Sequence, residues 1–315
     1  MKHSRRARSI TTLAFTVLLA LSLVTLGGCF GPMGSRDIEL TPTISSPTIG
    51  VDGVLRVGVD SVKVPYAGLD RDGNIVGIDV DVAAAIAQEL GLKLELVETT
   101  GRSAETLLAE GAVDIVMDIE QAGGSTIKGT KVGPYIESGP ALFTIVRSSE
   151  VPNVDLASLA GTRVAAQKDS MSSWSVEELI GPGTAEPRNN LEDAFRALES
   201  GEVSYAAADA VVGSYLALEF NDISCVKILG APIGVYIGVS AENTQLAEAL
   251  TQALRNIRDQ GLLKTIYTKW LGPVSASVVM GSSAITNELT TTTDTPEVTV
   301  PIDMGEDLPD PENAG

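Results

Sequence analysis

The sequence predicts an α/β fold of two lobes, built from mainly parallel sheets flanked by helices. Short β-rich runs alternate with helical patterns along residues 50–272, which is typical of β-α units. Two further apolar runs, residues 140–146 and 233–239, bracket a self-contained set of such units. We interpret these two runs as paired crossover strands, so the cleft between the two lobes is a natural place for a small ligand.

The individual elements follow from the local patterns. Strand candidates, in chain order, are residues 55–59, 92–97, 113–119, 163–166, 204–208 and 223–229. A helix near residues 79–90 places Ile78, Val82 and Ile86 four residues apart and stops at Gly91. A second helix covers about residues 191–200, and a long one follows a predicted Asn243 cap. The apolar stripes of these helices are interpreted as core faces.

The composition of the chain predicts its division into segments. Low-complexity stretches rich in Gly, Pro, Ser and Thr flank the body, and the last one is also acidic. The predicted plan is a lipoprotein signal peptide (1–28), a flexible tether (29–50), a first lobe (51–141 and 240–272), a second lobe (142–239) and a disordered acidic tail rich in Thr and Pro (273–315).

The N-terminal segment has the features of a secretory signal. A basic stretch at residues 2–8 precedes a mostly apolar run at residues 9–26. The junction Leu26-Gly27-Gly28-Cys29 resembles the lipobox of bacterial lipoproteins, in which the cysteine carries the lipid. We therefore expect a lipid such as palmitate on Cys29, which anchors the protein to the extracytoplasmic face of the cell membrane. The alternative is a retained transmembrane helix, for which the run is short.

The charge and the rare residue types exclude several functions. The 315-residue chain has a formal net charge of −19, which is unsuited to nucleic acid. Its single histidine, His3, lies in the predicted signal peptide, so no Ser-His-Asp triad and no imidazole metal ligand is expected. Apart from Cys29 the only cysteine is Cys225, in an apolar run, where an inert thiol is expected. We predict no catalytic residue, no metal and no cofactor.

An ordered set of motifs along residues 55–272 resembles one known family. The motifs are Leu55-Arg56-Val57-Gly58-Val59-Asp60, Gly77-Ile78-Asp79-Val80-Asp81, Gly111-Ala112-Val113-Asp114, Gly133-Pro134-Tyr135 and Tyr267-Thr268-Lys269-Trp270-Leu271-Gly272. Together they resemble the bacterial extracellular solute-binding proteins of family 3, which serve polar amino acid ABC transporters. The resemblance implies the type II periplasmic-binding-protein-like fold, with two hinge crossover strands.

The resemblance also implies a ligand site. In this family an arginine and backbone N–H groups bind the ligand's carboxylate, an aspartate binds its ammonium, and aromatic rings stack on its side chain. The implied ligand-binding positions here are Asp60, Lys63, Tyr66, Arg102, Ile119, Gln121, Ser170 and Asp209. Asp209 matches the ammonium aspartate and Ser170 matches the hydroxyl at a helix start, although either residue could instead cap its helix.

Several positions depart from the family pattern. The carboxylate arginine falls near Ser125 or Thr126, neither of which is basic, and the first stacking aromatic aligns with Lys63. Convergence of the carboxylates Asp60, Asp118, Glu120 and Asp209 would require a cationic ligand, because unpaired buried carboxylates are costly. A zwitterionic or anionic ligand is allowed if Lys63 or Arg102 points inward. Both interpretations are open at the level of sequence.

The function implied by the resemblance is the substrate-binding component of an ABC transporter. Its partners would be a small polar solute, most simply an amino acid or related amine, together with a permease and an ATPase. The protein would act as a monomer and close its lobes over the ligand. Two alternatives share the fold: a sensor or interaction lipoprotein without transport, and a dehydratase-like enzyme.

Overall fold

The computed structural model describes residues 40–99, 103–120, 129–281 and 285–290. These residues form sheets flanked by helices, which confirms the predicted α/β class. The predicted signal peptide and Cys29 lie outside the described residues. Across the described ranges, no helix combines the length and the apolar character needed to span a membrane.

The strands and helices alternate along the chain much as the patterns predict. The strands are β1 (Val54–Val59), β2 (Gly68–Leu69), β3 (Ile75–Val76), β4 (Lys93–Glu98), β5 (Ile115–Glu120), β6 (Gly129–Ser138), β7 (Pro140–Ile145), β8 (Val164–Gln167), β9 (Ala185–Arg188), β10 (Tyr205–Asp209), β11 (Ile223–Ile228), β12 (Ile233–Ser240) and β13 (Thr286–Thr290). The helices are α1 (Ile78–Glu89), α2 (Ala104–Ala109), α3 (Met171–Leu179), α4 (Leu191–Glu199), α5 (Ala210–Ala217), α6 (Thr244–Asp259), α7 (Leu262–Leu271) and α8 (Pro273–Val279), with a 3-10 turn at Leu156–Leu159.

The first lobe is built on a sheet of order β13-β6-β12-β5-β1-β4. Strand β1 runs parallel to β4 and β5, while β12 and β6 run antiparallel to their neighbours. Strand β1 buries Leu55 and Val57 completely, as a central parallel strand must. The predicted stripe Ile78, Val82 and Ile86 of α1 is also fully buried, which confirms it as a core face.

The second lobe is built on a sheet of order β11-β7-β10-β8-β9. Its core includes the rings of Phe143 and Phe195, whose centroids lie 5.1 Å apart. Helix α5 packs closely on this layer at Gly213, where a Cβ would lie 2.6 Å from the Phe143 ring. Only glycine fits there, so this contact sets the position of α5 and of the residue that precedes it, Asp209.

The crossing between the lobes differs in detail from the prediction. The two apolar runs predicted as the crossover strands are β7 and β12, and they lie in different sheets. Strand β7 lies between β10 and β11, whereas β12 lies between β5 and β6. The chain leaves the first lobe at Gly139 (φ 121°), directly after β6, and returns between β11 and β12. Residues 233–240 therefore belong to the first sheet, and not to the second lobe as predicted. Both runs are largely apolar because each is a central strand, so the pattern cannot show which sheet each one joins.

The predicted tether extends too far into the body. Ile49 is only 1% exposed, and the Thr43 N–H donates to the Leu90 carbonyl at 3.0 Å. Thr48 Oγ1 also donates to Gln245 at 2.9 Å. These contacts fix residues 43–50 on the first lobe. The Ser, Thr and Pro composition of the segment concealed the buried isoleucine.

The predicted disordered tail also contains structure. Helix α8 buries Val274, Ala276 and Val279 against β11 of the second lobe, and strand β13 then pairs with β6 of the first. The Ser275 hydroxyl accepts the Cys225 N–H at 3.0 Å, which satisfies a donor on the edge strand β11. We call α8 and β13 together the C-terminal strap. The prediction was wrong over these residues because the average composition of the tail hid a short apolar helix.

Candidate functional site

The loop between β1 and β2 supplies three of the predicted site residues, Asp60, Lys63 and Tyr66. The loop follows the carboxyl end of a parallel strand, which is where ligand sites of open α/β sheets lie. Tyr66 is 9% exposed and shares a side-chain hydrogen bond with Ser138 at the hinge. Burial, followed by the negative charge of Asp209, raises the pKa of Tyr66 well above its ordinary value. The tyrosine therefore stays neutral, and its hydroxyl remains available for hydrogen bonds at the edge of the cleft.

Asp118 has an unusual backbone in the neighbouring strand β5. Its φ is +62°, and the pairing of β5 with β12 shifts register beside it. Such irregularities re-aim side chains next to binding sites. The Asp118 N–H donates to the Tyr135 hydroxyl at 3.2 Å, and that hydroxyl donates to Asp79 Oδ1 at 2.7 Å. Tyr135 thus holds the irregular backbone in place.

Lys63 and Asp118 form an ion pair at this position. Lys63 Nζ lies 2.6 Å from Asp118 Oδ2, and the two side chains are 48% and 5% exposed. Burial raises the pKa of Asp118, although the hydrogen bond and the charge of Lys63 act in the opposite direction. Burial acts to lower the pKa of Lys63, but the hydrogen bond to Asp118 and the nearby charges of Glu120 and Asp60 raise it overall. Lys63 is therefore an ammonium at neutral pH.

Asp79 is an acid buried beneath this pair. It is 1% exposed at the start of α1. Burial, together with the charge of Asp118, raises the pKa of Asp79 to about 8. Its second oxygen, Oδ2, has no hydrogen-bond partner among the described residues. Asp79 is consequently mostly protonated at neutral pH and adds little charge to the cleft.

Asp209 lies at the start of α5 and faces the hinge. Its Oδ1 accepts the N–H groups of Val211 and Val212, both at 2.9 Å, which is a helix N-cap. Its Oδ2 accepts the Ser138 hydroxyl at 2.7 Å and the Gly139 N–H at 3.3 Å. A carboxylate offers about four lone-pair positions. All are engaged here, so Asp209 has the capping role that the sequence left open and also ties the two lobes together.

A cavity of about 210 Å³ opens between the two lobes. Its lining residues are Tyr66, Glu120, Ser138, Gly139, Asp209, Val212, Ile233 and Val235. Glu120 is the last residue of β5, and burial followed by the charge of Asp118 raises its pKa. Two carboxylates therefore face an otherwise apolar and hydroxyl-bearing space. No Lys or Arg is among the described residues that line it.

The structure brings together part of the predicted site and leaves part elsewhere. Tyr66 and Asp209 line the cavity, whereas Asp60 and Lys63 do not; the charge of Lys63 acts on Glu120, and that of Asp60 acts on Lys63. The Ile119 side chain is 3% exposed and packs in an apolar cluster. Ser170 caps α3 by accepting the Ser173 N–H at 3.1 Å and does not line the cavity.

Two predicted site residues, Arg102 and Gln121, lie outside the described residues. Sequence reasoning missed Ser138, Val212, Ile233 and Val235 as parts of the cavity. The position of Ser138 directly before the hinge glycine is the signal that could have indicated its role.

A wider surface cleft of about 480 Å³ lies within the second lobe, and Arg188 and Arg196 line it. Both arginines already have acidic partners, since Arg188 pairs with Glu202 at 2.8 Å and Arg196 pairs with Glu192. Because these charges are neutralised and a single lobe forms the cleft, we assign the candidate site to the cavity between the lobes.

The match to known families decides the class of the protein. Residues 55–273 match the bacterial extracellular solute-binding proteins, family 3. This chain belongs to that family. Membership confirms the resemblance and places the protein outside the cytoplasm. The match ends at residue 273, so the C-terminal strap lies almost wholly beyond it.

This chain is also similar to several individual proteins. It is 26% identical to the ABC transporter glutamine-binding protein GlnH of Bacillus subtilis, over 84% of this chain and 97% of the relative. It is 26% identical to the virulence sensor protein BvgS of Bordetella bronchiseptica, over 70% of this chain but 18% of the sensor. It is 26% identical to a putative ABC transporter arginine-binding protein 2 of Escherichia coli, over 69% and 90% of the two chains.

A solved structure confirms the fold of this family member. The L-cystine solute receptor of Neisseria gonorrhoeae, in its unliganded open conformation, superposes with a TM-score of 0.59 at 22% identity. The superposition covers 70% of this chain and 93% of the receptor. The predicted type II periplasmic-binding-protein-like fold is therefore confirmed.

Proposed function

We propose that this protein is the membrane-anchored binding component of an ABC transporter, and that its ligand is an amino acid or related amine with a net positive charge. One observation carries the choice of ligand: the interlobe cavity is lined by Glu120 and Asp209, with no described Lys or Arg. Lys63 is the nearby ammonium, and Asp118 already pairs with it. A cationic ligand would compensate the remaining carboxylates, whereas an anionic ligand would be repelled.

The role of each group follows from its free hydrogen-bonding capacity. The acceptor positions of Asp209 are engaged at the hinge, so Glu120 is the better partner for a ligand ammonium or guanidinium group. Asp209 contributes its negative charge at short range. Ser138 and Tyr66 supply hydroxyl groups on the wall shared by both lobes. A ligand that touches Glu120 in one lobe and Val212 in the other favours the closed form, because it gains contacts there that the open form lacks.

Calorimetry with arginine, citrulline and glutamate tests the predicted charge preference. Arginine and citrulline are nearly the same size, so their difference isolates charge. We expect arginine to bind at least about tenfold more tightly than citrulline, the order of one charge-assisted hydrogen bond, and glutamate to bind most weakly. Glu120→Gln should reduce the arginine preference, whereas Glu248→Gln, on the exposed surface of α6, should preserve it. Equal or tighter binding of citrulline or glutamate would overturn the proposal.

The proposed membrane anchor rests on the Leu26-Gly27-Gly28-Cys29 junction. The full chain should fractionate with membranes and incorporate labelled palmitate, and Cys29→Ser should abolish both properties. Cys225→Ser is the matched control and should keep them. If the Cys29→Ser protein incorporates no palmitate but still fractionates with membranes, the association does not depend on a lipid anchor.

The similarity to BvgS favours a second candidate function, ligand sensing without transport. Deletion of the gene distinguishes the two functions. Loss of uptake of the bound radiolabelled amino acid indicates transport. Unchanged uptake, together with loss of a transcriptional response to that amino acid, indicates sensing.

A further inference from the structure

Asp118 combines several energetically unfavourable features at one position beneath the cleft. It is a non-glycine residue in the left-handed backbone region, and its carboxylate is almost wholly buried. Its Oδ1 atom has no hydrogen-bond partner among the described residues. Strained and incompletely satisfied residues persist where the surrounding structure holds them, and they cluster at ligand sites. Tyr135 provides that support by accepting the Asp118 N–H.

The consequence of this arrangement is the position of the Lys63 ammonium. Lys63 is half exposed and its ammonium carries three donors, of which Asp118 takes one. Asp118 therefore holds the end of a flexible side chain beside the cavity, although Lys63 itself is not among the residues that line it. The charge of Lys63 acts on Glu120, which lines the cavity. Two other described basic residues have acidic neighbours of their own: Arg56 pairs with Asp114, and the Lys168 ammonium, on a side chain that is 71% exposed, lies 3.9 Å from Asp169.

An amino acid carries a carboxylate as well as an ammonium group, and this chain has no basic residue at Ser125 or Thr126, where the family pattern places an arginine. We propose that Lys63 binds the carboxylate of the amino-acid ligand and that Asp118 is the positioning residue that holds Lys63 in place. This inference rests on the proposed function. It divides the described part of the site into an anionic side, Glu120, for the ligand's positive groups and a cationic side, Lys63, for its carboxylate.

Arginine and agmatine test this division, because agmatine is arginine without the carboxylate. If Lys63 binds the carboxylate, Lys63→Gln should weaken arginine binding by about 10- to 100-fold, as expected for a lost charge-assisted hydrogen bond. The same substitution should leave agmatine binding unchanged or improve it, because it removes a positive charge from an acidic cleft. The arginine-to-agmatine affinity ratio is thus the readout. Lys93→Gln, on the exposed surface of β4, is the matched control and should not change the ratio.

Asp118→Asn tests the positioning role. It should lower the arginine-to-agmatine ratio in the same direction as Lys63→Gln, by releasing the lysine. The double variant Lys63→Gln/Asp118→Asn should lower the ratio no further than Lys63→Gln alone, because the two residues act as one unit. The double variant also avoids leaving Asp118 as an uncompensated buried charge, so a folded protein is available even if Lys63→Gln is unstable.

The outcomes separate this inference from the proposed function. Selective loss of arginine affinity in the folded variants supports the role of Lys63. Equal loss for arginine and agmatine, or no loss, in a protein that still prefers arginine to citrulline overturns the role of Lys63 and leaves the proposed function standing. Absence of binding of both compounds to the unmodified full chain overturns the proposed function, and the inference with it.

Discussion

The Ser138 hydroxyl donates a 2.7 Å hydrogen bond to Asp209 Oδ2 across the hinge. Ser138 is the last residue of β6 in the first lobe, and Asp209 is the last residue of β10 in the second. The same carboxylate caps α5. One side chain therefore couples the start of a helix in one lobe to the crossing strand of the other.

Substitution of Asp209 should separate its charge from its capping role. Asp209→Ala should lower the unfolding free energy by about 1–2 kcal/mol, or the melting temperature by roughly 2–8 °C. Asp209→Asn should retain most of that stability, because asparagine is an equally good cap. Thermal unfolding measures both, and Asn243→Ala, at the cap of α6, is a comparison away from the hinge. An unchanged melting temperature for Asp209→Ala would contradict the capping role. Arginine affinity should fall less for Asp209→Asn than for Glu120→Gln.

The buried acid Asp79 should make stability depend on pH. Its pKa is about 8 in the folded protein, against about 4 when unfolded. The folded state therefore retains a proton that the unfolded state loses. Its stabilising contribution is complete below about pH 4 and is lost as pH rises through 8, by up to about 1.4 kcal/mol per pH unit. Asp118, whose pKa is also raised, contributes with the same sign.

Asp79→Asn is neutral at every pH and can still accept the Tyr135 hydroxyl. Its melting temperature relative to the unmodified protein should therefore rise between pH 5 and pH 8, by roughly 3–5 °C per pH unit. Thermal unfolding across that range measures the difference. A constant difference would mean that Asp79 is ionised in the folded protein throughout.

Cys225 should be unreactive in the folded protein. It is fully buried, and burial raises the pKa of its thiol to about 12. In the Cys29→Ser variant it is the only thiol, and iodoacetamide at pH 8 should label it only after denaturation. Mass spectrometry measures the modified fraction. Rapid labelling of the native protein would show that β11 and α8 separate readily.

Removal of the C-terminal strap should destabilise the protein strongly. A chain ending at Gly272 loses the burial of Val274 and Val279, each worth about 1.5–3 kcal/mol. Its melting temperature should fall by at least about 6 °C. A chain ending at Thr290 keeps the strap and is the control, with an expected change within about 1 °C. Equal melting temperatures for the two truncated chains would show that the strap does not stabilise the body.

Sequence patterns predicted the elements whose signal is local. The stripe Ile78, Val82 and Ile86 fixes the buried face of α1 whatever it packs against. The sheet that each of β7 and β12 joins was not predictable in the same way, because both are central strands with largely apolar sequences. The strap was missed because residues such as Val274 and Val279 stand in a segment of otherwise polar composition.

Some residues of the candidate site could likewise be predicted from local sequence patterns, and others could not. Asp60 and Lys63 follow the carboxyl end of β1 in one sheet, and Asp209 ends β10 in the other. Ligand sites of open α/β sheets lie at the carboxyl ends of strands, so these positions could be predicted from the sequence. The ion pair between Lys63 and Asp118 depends on the positive φ of Asp118 and on the support of Tyr135, which no local pattern signals. Ser170 had two equally good interpretations, and only its contacts identify it as a cap.

The C-terminal strap changes how the two lobes can move. Two chain crossings alone form a hinge that can bend and twist. After β12 the chain passes to the second lobe again, where α8 is seated on β11, and then returns to the first lobe, where β13 pairs with β6. These two further passages resist any motion that separates β11 from β6. Closure that keeps α8 seated is thus a rotation about an axis near the strap, with the largest displacement at the opposite rim of the cleft. A chain cut at the end of the family match would lose this restraint while keeping every residue assigned to the ligand.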